Sequence, residues 1–175
     1  GITVESDGMS IDELEKALQE DQNVKLIYTI PNFQNPSGIC MSTEKRKKLY
    51  ELAKKYHVII IEDNPYGELR FEGEDIPSIK SFDEEGVVIY AGSFSKVMSP
   101  GMRVGYAIAP KPILAKMTVC KQVEDVHTNI WAQVVAEHFM SKYNFEEHLA
   151  KIRKVYQRKA SLMQSLMDDK LVPHV

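Results

Sequence analysis

Three short apolar runs, each ending in a polar loop, constrain the fold of this chain more than any other feature. Lys25-Leu26-Ile27-Tyr28-Thr29-Ile30, Val58-Ile59-Ile60-Ile61 and Val87-Val88-Ile89-Tyr90 have the length and β-branched content of buried strands. Between the first two lies a stretch of helical period, about residues 43–56, with Leu49, Leu52, Ala53 and Tyr56 on its apolar side. Strand, helix and strand in that order call for a crossover, so the pattern predicts an α/β chain with a mainly parallel sheet. The strands are expected at about 24–30, 58–62, 87–91 and 104–109. A helix with Ile11, Leu14, Ala17 and Leu18 on one face should precede them, opened by a capping box from Ser10 to Glu13. Beyond Pro112 glycine and proline are scarce, which predicts three helical stretches. Leu149, Ile152, Tyr156, Leu162 and Leu166 should lie on their apolar faces.

Open α/β sheets bind ligands beyond the carboxyl ends of their strands, so the chemistry should lie in the loops that follow these runs. The third loop, Gly92-Ser93-Phe94-Ser95-Lys96 continuing through Arg103 to Tyr106, sets one lysine among small hydroxyls and an arginine. A lysine held there can form a Schiff base with an aldehyde cofactor, and hydroxyls with a guanidinium can hold that cofactor's phosphate. Taken alone, Lys96 reads as a solvated surface cation. Ser93 and Lys96 also fit the Ser-x-x-Lys pattern of penicillin-binding proteins, but the Ser-Asp-Asn and Lys-Thr-Gly of that chemistry occur nowhere in the chain. In the first loop, Asn35-Pro36-Ser37-Gly38 would make a competent turn without any chemistry. In the second, Asp63 extends four aliphatic residues and Glu62, so it should be partly buried and need a partner. Ser95 could simply satisfy backbone groups.

Taken in order, Asn35-Pro36-Ser37-Gly38, Asp63-Asn64-Pro65-Tyr66 and Ser93-Phe94-Ser95-Lys96 with Arg103 resemble the class I/II aminotransferases of fold type I. The resemblance implies the large domain of the fold type I pyridoxal-phosphate transferases, a mainly parallel sheet flanked by helices, with the strand at 104–109 antiparallel. It implies pyridoxal 5′-phosphate as cofactor, held by Lys96 as an internal aldimine, with Lys96 then moving the proton of the amino acid. An ordinary lysine is protonated at neutral pH, so that role calls for burial or nearby positive charge. Asp63 would sit against the pyridine nitrogen, and Asn35 and Tyr66 would donate to the phenolic oxygen. Ser93, Ser95 and Arg103 would hold the phosphate.

The same resemblance implies an amino acid and a 2-oxo acid, 2-oxoglutarate as the expected acceptor, as substrates of a cytoplasmic homodimer. Phe33-Gln34 and the run from Asp63 to Phe71 look most like the subgroup handling 2-aminoadipate, aromatic or branched-chain amino acids. The family's upstream phosphate loop, its ring-stacking aromatic and its downstream carboxylate-binding arginine have no counterpart here. Residues 1–140 therefore correspond to the central portion of the large domain and 141–175 to the helix leading to the small domain, and the chain alone is expected to be inactive. Two relatives of other function share the fold. GntR-type transcription regulators use it as an effector domain, with a second acidic residue more often following the first aspartate. Carbon–sulfur lyases carry an Asp-Glu-Ile-His that is absent here.

A length of 175 residues allows one sizeable core. The formal net charge of −3 gives no footprint for nucleic acid or an anionic membrane. The basic cluster Lys45-Arg46-Lys47-Lys48 is expected to be a solvated helix face, with Glu44 and Glu51 placed four residues before Lys48 and Lys55. Cys40 and Cys120 are too few for a disulfide framework and fit a reducing compartment. His57, His127, His138, His148 and His174 show no ligand spacing, so no metal is expected. No run has the length of a membrane span, and no signal-peptide pattern follows Gly1.

Overall fold

Ile61 pairs in parallel with Tyr28 on one side and Ile89 on the other, and this register organises the sheet. The computed structural model describes residues 1–172. A small hairpin, β1 (Val4–Glu5) and β2 (Gly8–Met9), leads into α1 (Ile11–Glu20). Then follow β3 (Leu26–Thr29), α2 (Thr43–Lys55), β4 (Ile59–Asn64), β5 (Val88–Ser93) and β6 (Gly105–Ile108). The sheet order is β3-β4-β5-β6, with the first three strands parallel and β6 antiparallel to β5. Three helices complete the chain: α3 (Lys111–Glu124), α4 (Ile130–Lys142) and α5 (Phe145–Lys170). The expected architecture, including the antiparallel last strand, is what the structure has.

Side chains alternate across a sheet, so each strand presents two faces. Ile27, Ile60 and Val88 point to the face covered by α2, where Leu49 and Ala53 are fully buried; Leu14 and Leu18 of α1 extend this core. Tyr28, Ile61, Asp63, Ala91 and Ser93 share the other, more open face by register. Tyr106 lies opposite Gly92, and a Cβ on Gly92 would come within 2.2 Å of the tyrosine ring. Only glycine permits that approach.

Several expectations need correcting. Ser10 is the N-cap of α1, but its side chain makes no capping bond, and the Glu13 carboxylate accepts from Thr3 N at 2.8 Å instead. Arg46 is not on a solvated face; its exposure is 0%. Lys48 does pair with Glu44, whereas Glu51 pairs with Lys54 and Lys55 reaches Glu15 on α1. Of the apolar residues named on the C-terminal helices, Leu149 is buried, while Tyr156, Leu162 and Leu166 are exposed. Among the described residues no helix is long and apolar enough to cross a membrane.

Candidate active site

Asp63 pairs with Ala91, so the carboxyl ends of β4 and β5 lie side by side, with Asp63 and Ser93 on one face. The chain leaves Ser93 in a tight turn in which Met98 N donates to Phe94 O at 2.9 Å and Phe94 N to Val104 O at 3.1 Å. Ser95 N donates to Ser93 Oγ at 3.1 Å, and Arg103 Nη1 donates to Ser95 Oγ at 3.4 Å and to Pro100 O at 3.0 Å. The turn thus gathers Ser93, Ser95 and Arg103 around the segment that carries the exposed Lys96. Arg103 adopts the left-handed conformation at φ 54°, which is uncommon for a residue with a side chain and costs about 1 kcal/mol. That conformation turns the chain from the short 3₁₀ helix Pro100–Met102 into β6.

Asp63 has one side-chain partner among the described residues. Tyr28 Oη donates to Asp63 Oδ2 at 2.6 Å, from the neighbouring strand and the same sheet face. This bond is the main reason the Tyr28 hydroxyl is pushed up to about 12, with burial and the Asp63 charge adding to it. The expectation that Asp63 would be partly buried and partnered holds, although its partner was not foreseen.

Asn35 and Tyr66 meet in a cavity of their own. They line a cavity of about 450 Å³ with Phe33, Leu69, Phe71 and Tyr156, in which neither Lys96 nor Arg103 takes part. Among the described residues Asn35 engages only its backbone carbonyl, which accepts from Gln34 Nε2 at 2.7 Å. The structure therefore groups Ser93, Ser95, Lys96 and Arg103 in one turn, sets Asp63 beside that turn, and places Asn35 and Tyr66 together in the adjoining cavity.

Beneath these loops runs a buried polar chain. Asn32 Nδ2 donates to Asn64 Oδ1 at 2.9 Å, and Asn64 Nδ2 donates to Tyr90 Oη at 2.7 Å. Arg46 donates from Nη2 to Asn32 Oδ1 at 2.7 Å and to Pro31 O at 2.9 Å, from Nε to Met41 O at 2.9 Å, and from Nη1 to Pro77 O at 3.0 Å. A buried guanidinium needs such partners, since burial penalises its charge. Glu62, also fully buried, accepts from Ile79 N and Lys80 N at 2.8 Å each. Burial raises its carboxyl above the usual range, with the backbone donors and Arg46 opposing. From the other side, α5 ties down two loops: His148 Nε2 donates to Val97 O at 2.8 Å, and Arg153 Nε to Glu68 O at 2.7 Å.

Sequence reasoning missed Tyr28, Asn32, Asn64 and Arg46. A usable signal existed for Arg46, which stands three, four and seven residues before the buried Leu49, Tyr50 and Ala53. None of the described residues forms a cluster of three or more His, Cys, Asp or Glu side chains able to hold a metal. His174 lies outside the described residues.

Residues 3–175 match the family Aminotransferase class I and II. Aromatic-amino-acid aminotransferase 1 of Thermococcus litoralis is 42% identical over 172 residues, covering 96% of this chain and 41% of that protein. The crystal structure of the alpha-aminoadipate aminotransferase of Thermus thermophilus, complexed with N-(5′-phosphopyridoxyl)-L-leucine, superposes with a TM-score of 0.91 at 34% identity; the match covers 97% of this chain and 44% of that one. The uncharacterised HTH-type transcriptional regulator YisV of Bacillus subtilis is 39% identical over 130 residues, or 74% of this chain and 27% of that protein. The chain thus spans about two fifths of the length of the first of these relatives. With the match running from residue 3 to the end, the chain belongs to the class I and II aminotransferases.

Proposed function

We propose that the full-length protein moves an amino group from an α-amino acid to a 2-oxo acid, with pyridoxal phosphate as cofactor. The observation that carries this reading is the turn in which Ser93, Ser95 and Arg103 are hydrogen-bonded together in the segment that carries Lys96, next to the strand end that carries Asp63. Its donor set suits such a group: a guanidinium with two hydroxyls for a phosphate, a primary amine for an aldehyde, and a carboxylate for a ring cation. When bound, pyridoxal phosphate supplies an aldehyde for the amino group and a protonated ring that draws off electron density. Ser93, Ser95 and Arg103 hold the phosphate, and Asp63 keeps the ring nitrogen protonated. Lys96 carries a proton to and from the α-carbon of the amino acid. Asn35 and Tyr66 donate to the phenolic oxygen from the adjoining cavity.

On this reading residues 1–140 belong to the large domain and 141–175 to the helix that leads to a small domain. The names of the relatives support an aromatic amino acid or 2-aminoadipate as donor, and the family resemblance implies 2-oxoglutarate as acceptor. A homodimer is supported by the exposed Val123, Val126, Ile130 and Trp131 around the α3–α4 junction, the last 73% exposed. The net charge of −3 argues against nucleic acid as a partner of this segment, and two free cysteines suit the cytoplasm. The likeness to YisV keeps a regulator's effector domain as the second reading. The assay that separates them is glutamate formation by the full-length protein from 2-oxoglutarate and a panel of aromatic, branched-chain and 2-aminoadipate donors. Steady turnover supports the enzyme; none with any donor contradicts it.

A further inference from the structure

We propose that Tyr28 is a positioning residue for Asp63, its hydroxyl holding the Oδ2 oxygen and leaving Oδ1 for the ring nitrogen of the cofactor. This rests on the proposed cofactor site. Tyr28 sits on β3 opposite Ile61, two residues before Asp63 on the same face of β4, so the phenol must reach diagonally along the sheet to the carboxylate. Such diagonal pairs lie within reach of aromatic side chains. Its 2.6 Å bond has the length of a hydroxyl donating to an ionised carboxylate.

Packing does not account for this tyrosine. It is 53% exposed, while its strand neighbours Ile27 and Thr29 are buried. What it offers is a donor, and one that endures: a hydroxyl pushed up to about 12 stays protonated throughout the range in which an enzyme of this kind works. A carboxylate left without that donor would be free to rotate about its own bond, and its alignment with a ring nitrogen would be lost in a fraction of encounters.

The test uses the full-length protein loaded with ¹⁵N-labelled pyridoxal phosphate, as parent and as Tyr28→Phe. The variant should bind the same amount of cofactor, shift the ring ¹⁵N resonance, and lose about tenfold in kcat with KM for the amino acid changed less than about twofold. A ring resonance and kcat equal to the parent's would overturn the proposal and leave the cofactor site standing. A parent that takes up no pyridoxal phosphate overturns both. A second measurement is independent of turnover: in apo Asp63→Asn, the Tyr28 ¹³Cζ resonance should titrate at lower pH than in the parent. An unchanged titration would show that the two residues are not coupled in solution, and the proposal would fall.

Discussion

Asn32 Nδ2 donates to Asn64 Oδ1 at 2.9 Å, joining the loop that carries Asn35 to the strand end that carries Asp63 and Tyr66. Both amides are buried, and Asn64 passes the link on to Tyr90 of β5. Three strand ends are thereby tied through side chains beyond the point where the backbone ladder between β3 and β4 stops at Thr29. Replacing Asn64 by Leu strands the Asn32 donor and the Tyr90 hydroxyl, each buried or half-buried. The expected loss is about 2 kcal/mol of stability, measured by urea unfolding of the full-length protein. Asn64→Asp should cost less, because the Tyr90 hydroxyl can turn round and donate to the new carboxylate.

Arg46 should matter more than its place in a basic cluster suggests. Arg46→Met removes the donors of Pro31 O, Met41 O and Asn32 Oδ1 together, and takes from the buried Glu62 a cation that favours its charged form. Breaking a buried charge network of this kind costs about 4 kcal/mol. Amide hydrogen exchange across residues 31–41 should accelerate well before global unfolding, and unchanged protection there would contradict the assigned role.

Asp83 gives a pH dependence of definite sign. Its side chain is fully buried, with Oδ1 accepting from Gly86 N and Val87 N and Oδ2 from Val88 N and Lys80 Nζ. Burial alone would raise this carboxyl, but these donors outweigh it and hold it below its ordinary 3.8. The unfolded chain therefore binds the proton first as pH falls. Its stabilising contribution is complete above the ordinary value and is lost as pH drops through the lowered one. Asp83→Asn should be less stable than the parent at neutral pH, with the difference in urea midpoint shrinking below about pH 4.

Asp63 and Arg103 should fail in different ways. Arg103→Ala removes a charged donor from the phosphate and should weaken cofactor retention by about tenfold to a hundredfold. Asp63→Ala keeps those contacts and should retain the cofactor while losing about a hundredfold or more in kcat, since the ring is no longer held protonated. Dialysis followed by fluorescence of the bound cofactor, set beside single-turnover rates, separates the two. Normal proton removal by the Asp63 variant would refute its role.

The strands were legible because continuous apolar runs admit few alternatives, and the helices α1 and α2 because their buried residues recur at helical spacing. Strand ends were less so. β4 runs on to Asn64 and β5 to Ser93, because backbone pairing with Gly92 and Gly105 continues after the apolar side chains stop. The antiparallel β6 came from family resemblance; nothing in the alternation of its side chains encodes direction. Tyr28 was hidden for a related reason. Its meeting with Asp63 depends on the register between two strands separated by a helix, which no local pattern specifies. Arg46 was misread because a run of four basic residues was treated as a single face, although a helix turns about 100° per residue and points one of the four inward.

Lys96 is the residue on which the proposed site depends, and borohydride reduction tests it most directly. Treating the cofactor-loaded full-length protein and mapping the product by mass spectrometry should find a phosphopyridoxyl group on Lys96. A group on any other lysine, with Lys96 unmodified, would contradict the assignment of this turn as the active site.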